Sequence, residues 1–141
     1  MTPRALGIDH GEARIGLAIS DELGMLAHPL ETIVLKEVAD PVARIAEVVG
    51  RDKIGTIVLG MPRNMDGSYG PASEKVKAFA EKLRAAVACP VRLWDERMTT
   101  KAAQRSLHAA GRNTKQGRSV IDQAAAQLIL QGWLDSQAML G

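Results

Sequence analysis

Two apolar runs joined by a short polar turn open the chain, in the stretch ALGIDHGEARIGLAIS at residues 5–20. The first run ends at Asp9, and the second alternates isoleucine and leucine with small or polar residues. A short continuous apolar run predicts a buried strand, and strict alternation predicts a strand with one buried face. Because the turn at residues 10–13 is too short for a crossover connection, we predict that the two strands pair antiparallel.

Further along the chain, the pattern of strands continues and then changes to alternating helices and strands. A third apolar stretch runs from Leu30 to Leu35 after another short turn, which extends the antiparallel meander to three strands. Asp40 then fits a helix N-cap, with Pro41 at the first helical position. This helix carries an apolar stripe of helical spacing at Val42, Ile45, Val48 and Val49.

The second half of the predicted sheet is parallel. A buried strand is expected at residues 56–59 and a fifth strand from Val91, with an amphipathic helix between them that uses Val76, Phe79, Ala80 and Leu83. Two helical crossovers imply parallel pairing. The prediction is therefore an α/β fold like that of ribonuclease H. It has a five-stranded mixed sheet, three antiparallel strands and then two parallel ones, with helices on both faces.

Length and composition predict a single domain over residues 1–141, with no evident linker. The one cysteine, Cys89, has no partner for an intramolecular disulfide, which favours a reducing compartment. Residues 1–4 lead into the first strand without an apolar signal region, and no apolar stretch reaches the length of a membrane span. We therefore expect a cytoplasmic protein that does not contact a membrane.

Three acidic residues occupy positions that suit a metal site: Asp9 at the end of the first strand, Glu96 after the fifth, and Asp122 at the opening of a helical stretch. The carboxyl ends of parallel strands share one edge of an open sheet, where ligands bind, so Asp9 and Glu96 are expected together. Asp95 and Glu96 are neighbours on a strand and face opposite ways, so only one can point toward Asp9.

The helical stretch that contains the third acid has an expected buried face. This face is traced by Ile121, Ala125, Leu128 and Gly132, and it places Asp122 beside it in the first turn.

Oxygen ligands with no histidine or cysteine nearby favour Mg²⁺ or Mn²⁺ over zinc, and two such ions could activate a water and stabilise the leaving oxygen of a phosphodiester. The pattern therefore indicates a nuclease. Each acid also has an ordinary interpretation. Asp9 could end a strand in a turn, Glu96 could pair with Arg97 at the surface, and Asp122 could serve a helix N-terminus.

A concentration of cations follows the second acid, with no Asp or Glu between residues 97 and 118, although the whole chain carries only +2. Its members are Arg97, Lys101, Arg105, Arg112, Lys115 and Arg118. A helix capped by Thr99 or Thr100 and a flexible loop at residues 111–118 would carry them, either as phosphate contacts or as a solvated face. Arg14, which precedes the second strand, fits either a bidentate phosphate contact or an exposed turn.

Five ordered motifs carry a resemblance that covers nearly the whole chain. They are Gly7-Ile8-Asp9-His10-Gly11, Arg14-Ile15-Gly16-Leu17-Ala18, Gly60-Met61-Pro62, Asp95-Glu96-Arg97-Met98-Thr99-Thr100 and Ile121-Asp122-Gln123-Ala124-Ala125. This set resembles the YqgF family of Holliday-junction-resolvase-like proteins. The resemblance implies a bacterial ribonuclease H-like nuclease that matures the 5′ end of precursor small-subunit (16S) ribosomal RNA, with resolution of DNA junctions as the other activity. It also implies that Asp9, Glu96 and Asp122 form the metal site.

Other classes of function stay open from the residues alone. A module of the same fold could bind nucleic acid without cutting it, because fold does not determine activity. A nucleotide-binding domain of the actin and sugar-kinase type also places Asp and Gly after its first strand, but it needs two such halves, and this chain has one. The partner expected in the preferred interpretation is precursor ribosomal RNA or structured DNA, bound by a monomer or a homodimer.

Overall fold

The computed structural model describes residues 3–62, 66, 68–96 and 115–140, with side chains of the last segment described from residue 123. Its strands are β1 (Arg4–His10), β2 (Arg14–Ser20), β3 (Ala27–Val34), β4 (Ile54–Met61) and β5 (Val91–Asp95). Its helices are α1 (Pro41–Arg51), α2 (Pro71–Ala86) and α3 (Lys115–Leu140). None of these described helices has the length and apolar character that a membrane span requires.

The strands form one five-stranded sheet in the order β3-β2-β1-β4-β5. β1 pairs antiparallel with β2, and β2 with β3, whereas β4 is parallel to both β1 and β5. These pairings confirm the predicted mixed sheet. The two short turns allow only antiparallel neighbours, and the two helical connections return the chain to the start of the sheet, which allows parallel pairing.

β3 begins at Ala27, three residues before the apolar stretch that predicted it. Ala27 pairs with Ser20 in the sheet, and α3 binds its backbone through glutamine side chains. Gln131 accepts a hydrogen bond from the Ala27 N–H at 2.9 Å, and Gln127 donates one to its carbonyl, also at 2.9 Å. The strand start therefore depends on a helix about a hundred residues away, which local patterning does not reveal.

The start of α1 is as predicted. The Asp40 carboxylate accepts a hydrogen bond from the Ala43 backbone N–H at 3.1 Å, and Pro41 occupies the first helical position. An N-cap of this kind satisfies one of the free N–H groups at a helix start. Ile45 and Val48 are buried, so α1 presents the predicted stripe to the core.

Helices cover both faces of the sheet, as predicted. On one face α1 and α2 contribute to a large cluster with Leu6 and Ile8 of β1 and Ile15 and Leu17 of β2. On the other face α3 packs against small and β-branched side chains of the strands. The members of this second cluster are Ala5, Ala18, Ala27, Val58, Ala126, Ile129, Leu130 and Leu134. Alternate residues of one strand therefore serve two separate cores.

α3 differs from the sequence prediction in its start and in its buried side. The helix begins at Lys115, so Asp122 lies beyond the first turn and residues 115–118 are not a loop. The buried side is formed by Ala126, Ile129, Leu130 and Leu134, one position along from the predicted face at Ala125, Leu128 and Gly132. The apolar residues of α3 are distributed around its whole circumference, so their periodicity alone could not predict which side is buried. The predicted helix near Thr99 lies outside the described residues.

The contact with β1 selects the buried side of α3. A Cβ atom added at Gly7 would lie 2.6 Å from Leu130 Cβ and 2.8 Å from the Ala126 carbonyl oxygen. Only a residue without a side chain permits this approach of helix to strand. α3 is thereby seated on the face of the sheet to which alternate residues of β1, including Asp9, belong.

Candidate active site

The side chains of Asp9 and Glu96 meet at the carboxyl end of β1, on the face covered by α3. They are hydrogen-bonded to each other. Asp9 lies at the penultimate position of β1, and Glu96 follows directly after β5. Two acids that are 87 positions apart in the chain are therefore brought together, as the shared strand edge predicted.

Glycines on both neighbouring strands make room for this pair. Gly16 of β2 is the register partner of Asp9, and Gly60 of β4 lies one residue beyond the partner of Ile8. A Cβ atom at Gly60 would lie 2.8 Å from Glu96 Oε1 and 3.2 Å from Glu96 Cγ. Glu96 therefore passes directly over Gly60 to reach Asp9. Sequence reasoning did not assign this role to Gly60, although a glycine that ends a buried strand is the signal that could have indicated it.

Of the two adjacent acids on β5, Glu96 is the one that contacts Asp9. Asp95 pairs with Met61 in the sheet, and strand alternation directs its side chain toward the opposite face. Its charge still reaches Glu96 and contributes to raising the pKa of that carboxyl. The sequence left the choice between Asp95 and Glu96 open, and the direction of the chain as it leaves β5 decides it.

Both carboxyl groups of the pair hold protons more tightly than usual. Burial, the charge of Asp9 and the hydrogen bond to Asp9 raise the pKa of Glu96 from 4.5 to about 8. Burial also raises the pKa of Asp9, while the hydrogen bond with Glu96 opposes that rise. These opposite effects of the hydrogen bond on the two pKa values indicate that protonated Glu96 donates to the Asp9 carboxylate, so the pair shares one proton near neutral pH.

Without divalent ions, the stability of the protein should fall as pH rises from about 4.5 to about 8. Below this window Glu96 is protonated in both the folded and the unfolded chain, whereas within it only the folded protein keeps the proton, so each increment of pH favours unfolding. Urea unfolding between pH 4 and 9 in EDTA measures the effect. Glu96→Gln should flatten the curve, and a wild-type stability that rises through this window would contradict the shared proton.

The chemistry of this pair fits a divalent cation. A cation can replace the shared proton and remove the repulsion between two buried carboxylates, and an all-oxygen donor set suits Mg²⁺ or Mn²⁺.

His10 is not part of this site, because it lies on the opposite face of the sheet with its ring 4.5 Å from that of Phe79. Over the part of the chain that is described, no group of three or more His, Cys, Asp or Glu could hold a metal ion. Asp9 and Glu96 are thus the described carboxylates that could hold a cation together, and the side chain of Asp122 lies outside the described residues.

The other candidate residues fall into two groups. Arg97, Lys101, Arg105 and Arg112 lie outside the described residues, and Lys115 and Arg118 lie in the first turns of α3, ahead of the described side chains. Arg14, in contrast, is described. It begins β2 and is half-buried, which does not match an exposed turn residue.

Comparisons with known proteins agree with this fold. Residues 3–136 match the family model described as RuvX, Holliday junction resolvase. A protein of Halalkalibacterium halodurans named "Putative pre-16S rRNA nuclease" is 46% identical over 138 residues, covering 96% of this chain and 99% of the relative. A protein of Streptomyces avermitilis with the same name is 48% identical over 139 residues, covering 98% of this chain and 89% of the relative.

Among solved structures, RuvC of T. thermophilus in complex with a Holliday junction substrate aligns with a TM-score of 0.61 at 17% identity, covering 98% of this chain and 97% of that one. Fowlpox virus resolvase in complex with Holliday junction DNA aligns with a TM-score of 0.59 at 12% identity, covering 95% of this chain and 98% of that one. At such identities these structures support the fold alone. The family model and the relatives, which span nearly the whole sequence, show that the chain belongs to the RuvX family, also called YqgF.

Proposed function

We propose that this protein is a metal-dependent endonuclease that hydrolyses phosphodiester bonds in the cytoplasm and processes the 5′ end of precursor 16S ribosomal RNA. The observation that carries the proposal is the partly buried pair of Asp9 and Glu96, whose side chains are hydrogen-bonded to each other at the carboxyl edge of the sheet. Such a pair is costly in an apo protein and is stabilised by a cation. The names of the relatives from H. halodurans and S. avermitilis favour precursor RNA as the substrate.

Three acids have roles as metal ligands in this proposal. Asp9, Glu96 and Asp122 would hold the divalent ions through their carboxylate oxygens. Position 122 lies four residues before the buried Ala126 on α3, and residues four apart share a helix face. Ala126 lies close to Gly7, so the backbone at position 122 is one helical turn along α3 from this contact with β1.

Bound Mg²⁺ or Mn²⁺ would supply Lewis-acid activation of a water and stabilisation of the leaving oxygen. The protein's own residues do the rest. Asp9 and Glu96 hold negative charge at a fixed point, Gly60 keeps the path between them open, and Ile129 closes one side with an apolar wall. An apolar side chain beside the carboxylates lowers the local dielectric constant, which strengthens their electrostatic attraction to a cation.

The cations of residues 97–118 contact the phosphates of the substrate strand in this proposal. They are Arg97, Lys101, Arg105, Arg112, Lys115 and Arg118. The segment connects Glu96 to α3, so both of its ends adjoin elements that carry the proposed ligands. Basic side chains supply most of the sequence-independent affinity for nucleic acid.

A second candidate function is the resolution of four-way DNA junctions. The observation that favours it is the family model, which matches residues 3–136 and is described as a Holliday junction resolvase. Phosphate contacts and metal ligands do not distinguish RNA from DNA, so the same pair could serve either substrate. This activity would act through a homodimer, because a junction presents two strands for symmetric cleavage.

Parallel assays distinguish the two functions. The purified protein is incubated with a transcript that carries the 5′ leader of precursor 16S RNA and with a four-way DNA junction, each with Mg²⁺, Mn²⁺ or EDTA. We expect cleavage of the RNA only when a divalent ion is present. Cleavage of the junction with the RNA left intact would favour the resolvase, and an absence of cleavage in both would refute the nuclease.

Gly60→Ala should weaken metal binding and cleavage. The new methyl group would displace Glu96 from Asp9, and it would also meet the terminal Cδ1 atom of the buried Ile129, at 2.5 Å. Disturbing the support of a metal ligand typically costs about 10- to 100-fold in affinity or activity. Mn²⁺ binding by calorimetry, cleavage rates and thermal unfolding are compared with Gly50→Ala, whose added Cβ meets open space. Equal activities in the two variants would remove Gly60 from the site.

A further inference from the structure

Arg14 occupies the first position of β2 and faces the same side of the sheet as Asp9. Asp9 pairs with Gly16, and Arg14 lies two residues from Gly16 on that strand, so both side chains belong to the α3 face. Diagonal neighbours of this kind are about 7–8 Å apart, within the reach of an arginine side chain. Gly11 lies opposite Arg14 and donates its N–H to the Arg14 carbonyl at 2.8 Å. No side chain of β1 or β2 therefore separates Arg14 from the acid pair.

The guanidinium group of Arg14 is not fully satisfied within the described protein. Its Nε atom is buried and has no hydrogen-bond partner among the described residues. A buried donor without an acceptor costs free energy, and in a native protein it calls for an explanation such as a missing ligand. The other arginines whose bonds are described behave differently: Arg44 makes a bidentate contact with Glu31 at 3.0 and 2.7 Å, and Arg51 pairs with Asp52.

On the α3 side of the sheet, Arg14 has a glycine and a polar contact as its described neighbours. Its strand neighbour on the same face is Gly16, and across the sheet from Gly16 stands Thr32. Gln123 of α3 donates to the Thr32 hydroxyl at 3.1 Å, which closes the far side of this region with polar groups. The region is thus bounded by Asp9 on one side and by a Thr–Gln contact on the other, with a glycine between them.

We infer that Arg14 binds a non-bridging oxygen of the scissile phosphate and holds it against the Asp9–Glu96 pair. The inference rests on the proposed nuclease function and adds a substrate-positioning residue to it. A phosphate that approaches two carboxylates needs a compensating positive charge, and the planar fork of a guanidinium matches two phosphate oxygens. The buried Nε–H becomes satisfied only when this ligand is present.

The test compares Arg14→Ala with Arg4→Ala, which removes the same charge from the other end of the sheet, where Arg4 contacts Glu22. Binding is measured by fluorescence anisotropy with the labelled 5′-leader transcript in Ca²⁺ and with the four-way junction in parallel. We expect Arg14→Ala to bind roughly 10- to 100-fold more weakly, as for a lost hydrogen bond to a charged group. Its salt slope should also be shallower by about 0.7 for single-stranded RNA. Arg4→Ala should match the wild type.

Two further measurements separate ligand binding from a structural role. Arg14→Lys should restore the wild-type dependence of binding on salt concentration but not kcat. A lysine keeps the positive charge but lacks the planar pair of N–H donors with which a guanidinium binds two phosphate oxygens. Thermal unfolding of the apo Arg14→Ala variant should be unchanged or raised, since a buried unpaired donor has been removed. A lowered Tm with unchanged RNA binding would instead make Arg14 a purely structural residue.

The outcomes also separate this inference from the function on which it rests. If the wild type cleaves RNA or junction DNA while Arg14→Ala and Arg4→Ala bind and cleave alike, only the role of Arg14 is refuted. If the wild type neither binds nor cleaves either nucleic acid, the nuclease function and the role of Arg14 fail together.

Discussion

Asp9→Asn is expected to abolish divalent-dependent cleavage while leaving the protein folded. The substitution keeps the size of the side chain and removes the charge that makes it a metal ligand. Changing a residue that merely supports a ligand costs about 10- to 100-fold, so losing the ligand itself should cost more than ~100-fold in cleavage rate. The apo protein should be at least as stable as the wild type, because the asparagine side chain can still hydrogen-bond to Glu96 and carries no charge that burial disfavours.

A matched pair of variants on the other strand sharpens this test. Glu96→Gln should reduce cleavage as strongly as Asp9→Asn, whereas Asp95→Asn should retain most of the activity, because Asp95 faces away from Asp9. Rates are measured under single-turnover conditions with the 5′-leader transcript in Mg²⁺. Calorimetry should show that Mn²⁺ binding is lost in the first two variants and kept in the third. Full activity in Asp9→Asn would refute the metal site.

Gly7→Ala should cause a large loss of stability. The added Cβ atom would lie 2.6 Å from Leu130 Cβ and 2.8 Å from the Ala126 carbonyl oxygen. Neither atom is the free end of a side chain, so the helix α3 must move as a body. Overpacking of this kind costs about 1–3 kcal/mol or more in the free energy of unfolding. Because α3 also carries Asp122, cleavage should fall in the same variant.

Gly50→Ala is the control for Gly7→Ala, since it adds the same methyl group within helix α1 where no atom lies within 4 Å. Alanine is the better helix former, and this variant should be more stable than the wild type by up to about 1 kcal/mol. Urea unfolding of the three proteins measures the difference. If Gly7→Ala unfolds at the same urea concentration as Gly50→Ala, the close contact between α3 and β1 is not as the structure describes it.

Much of the fold was determined by local sequence. The turn lengths around residues 10–13 and 21–26 required antiparallel neighbours, and Asp40 with Pro41 marked the start of α1. Apolar runs that end at Asp9 and just before Glu96 placed both acids at one strand edge. These features depend on periodicity, capping and turn geometry, which involve residues close together in the chain, so a single sequence contains them.

The rest was decided by contacts between distant segments. The buried side of α3 follows from the close approach at Gly7, and the start of β3 from Gln127 and Gln131, which lie 100 and 104 positions from Ala27. The choice of Glu96 over Asp95 followed from the path of the chain over Gly60. The sequence by itself thus determined the directions in which the strands pair and the edge that gathers the acids, whereas the strand order came from the structure. Only tertiary packing decided which carboxyl groups share a proton and how α3 is seated, because such contacts depend on shapes that no local pattern records.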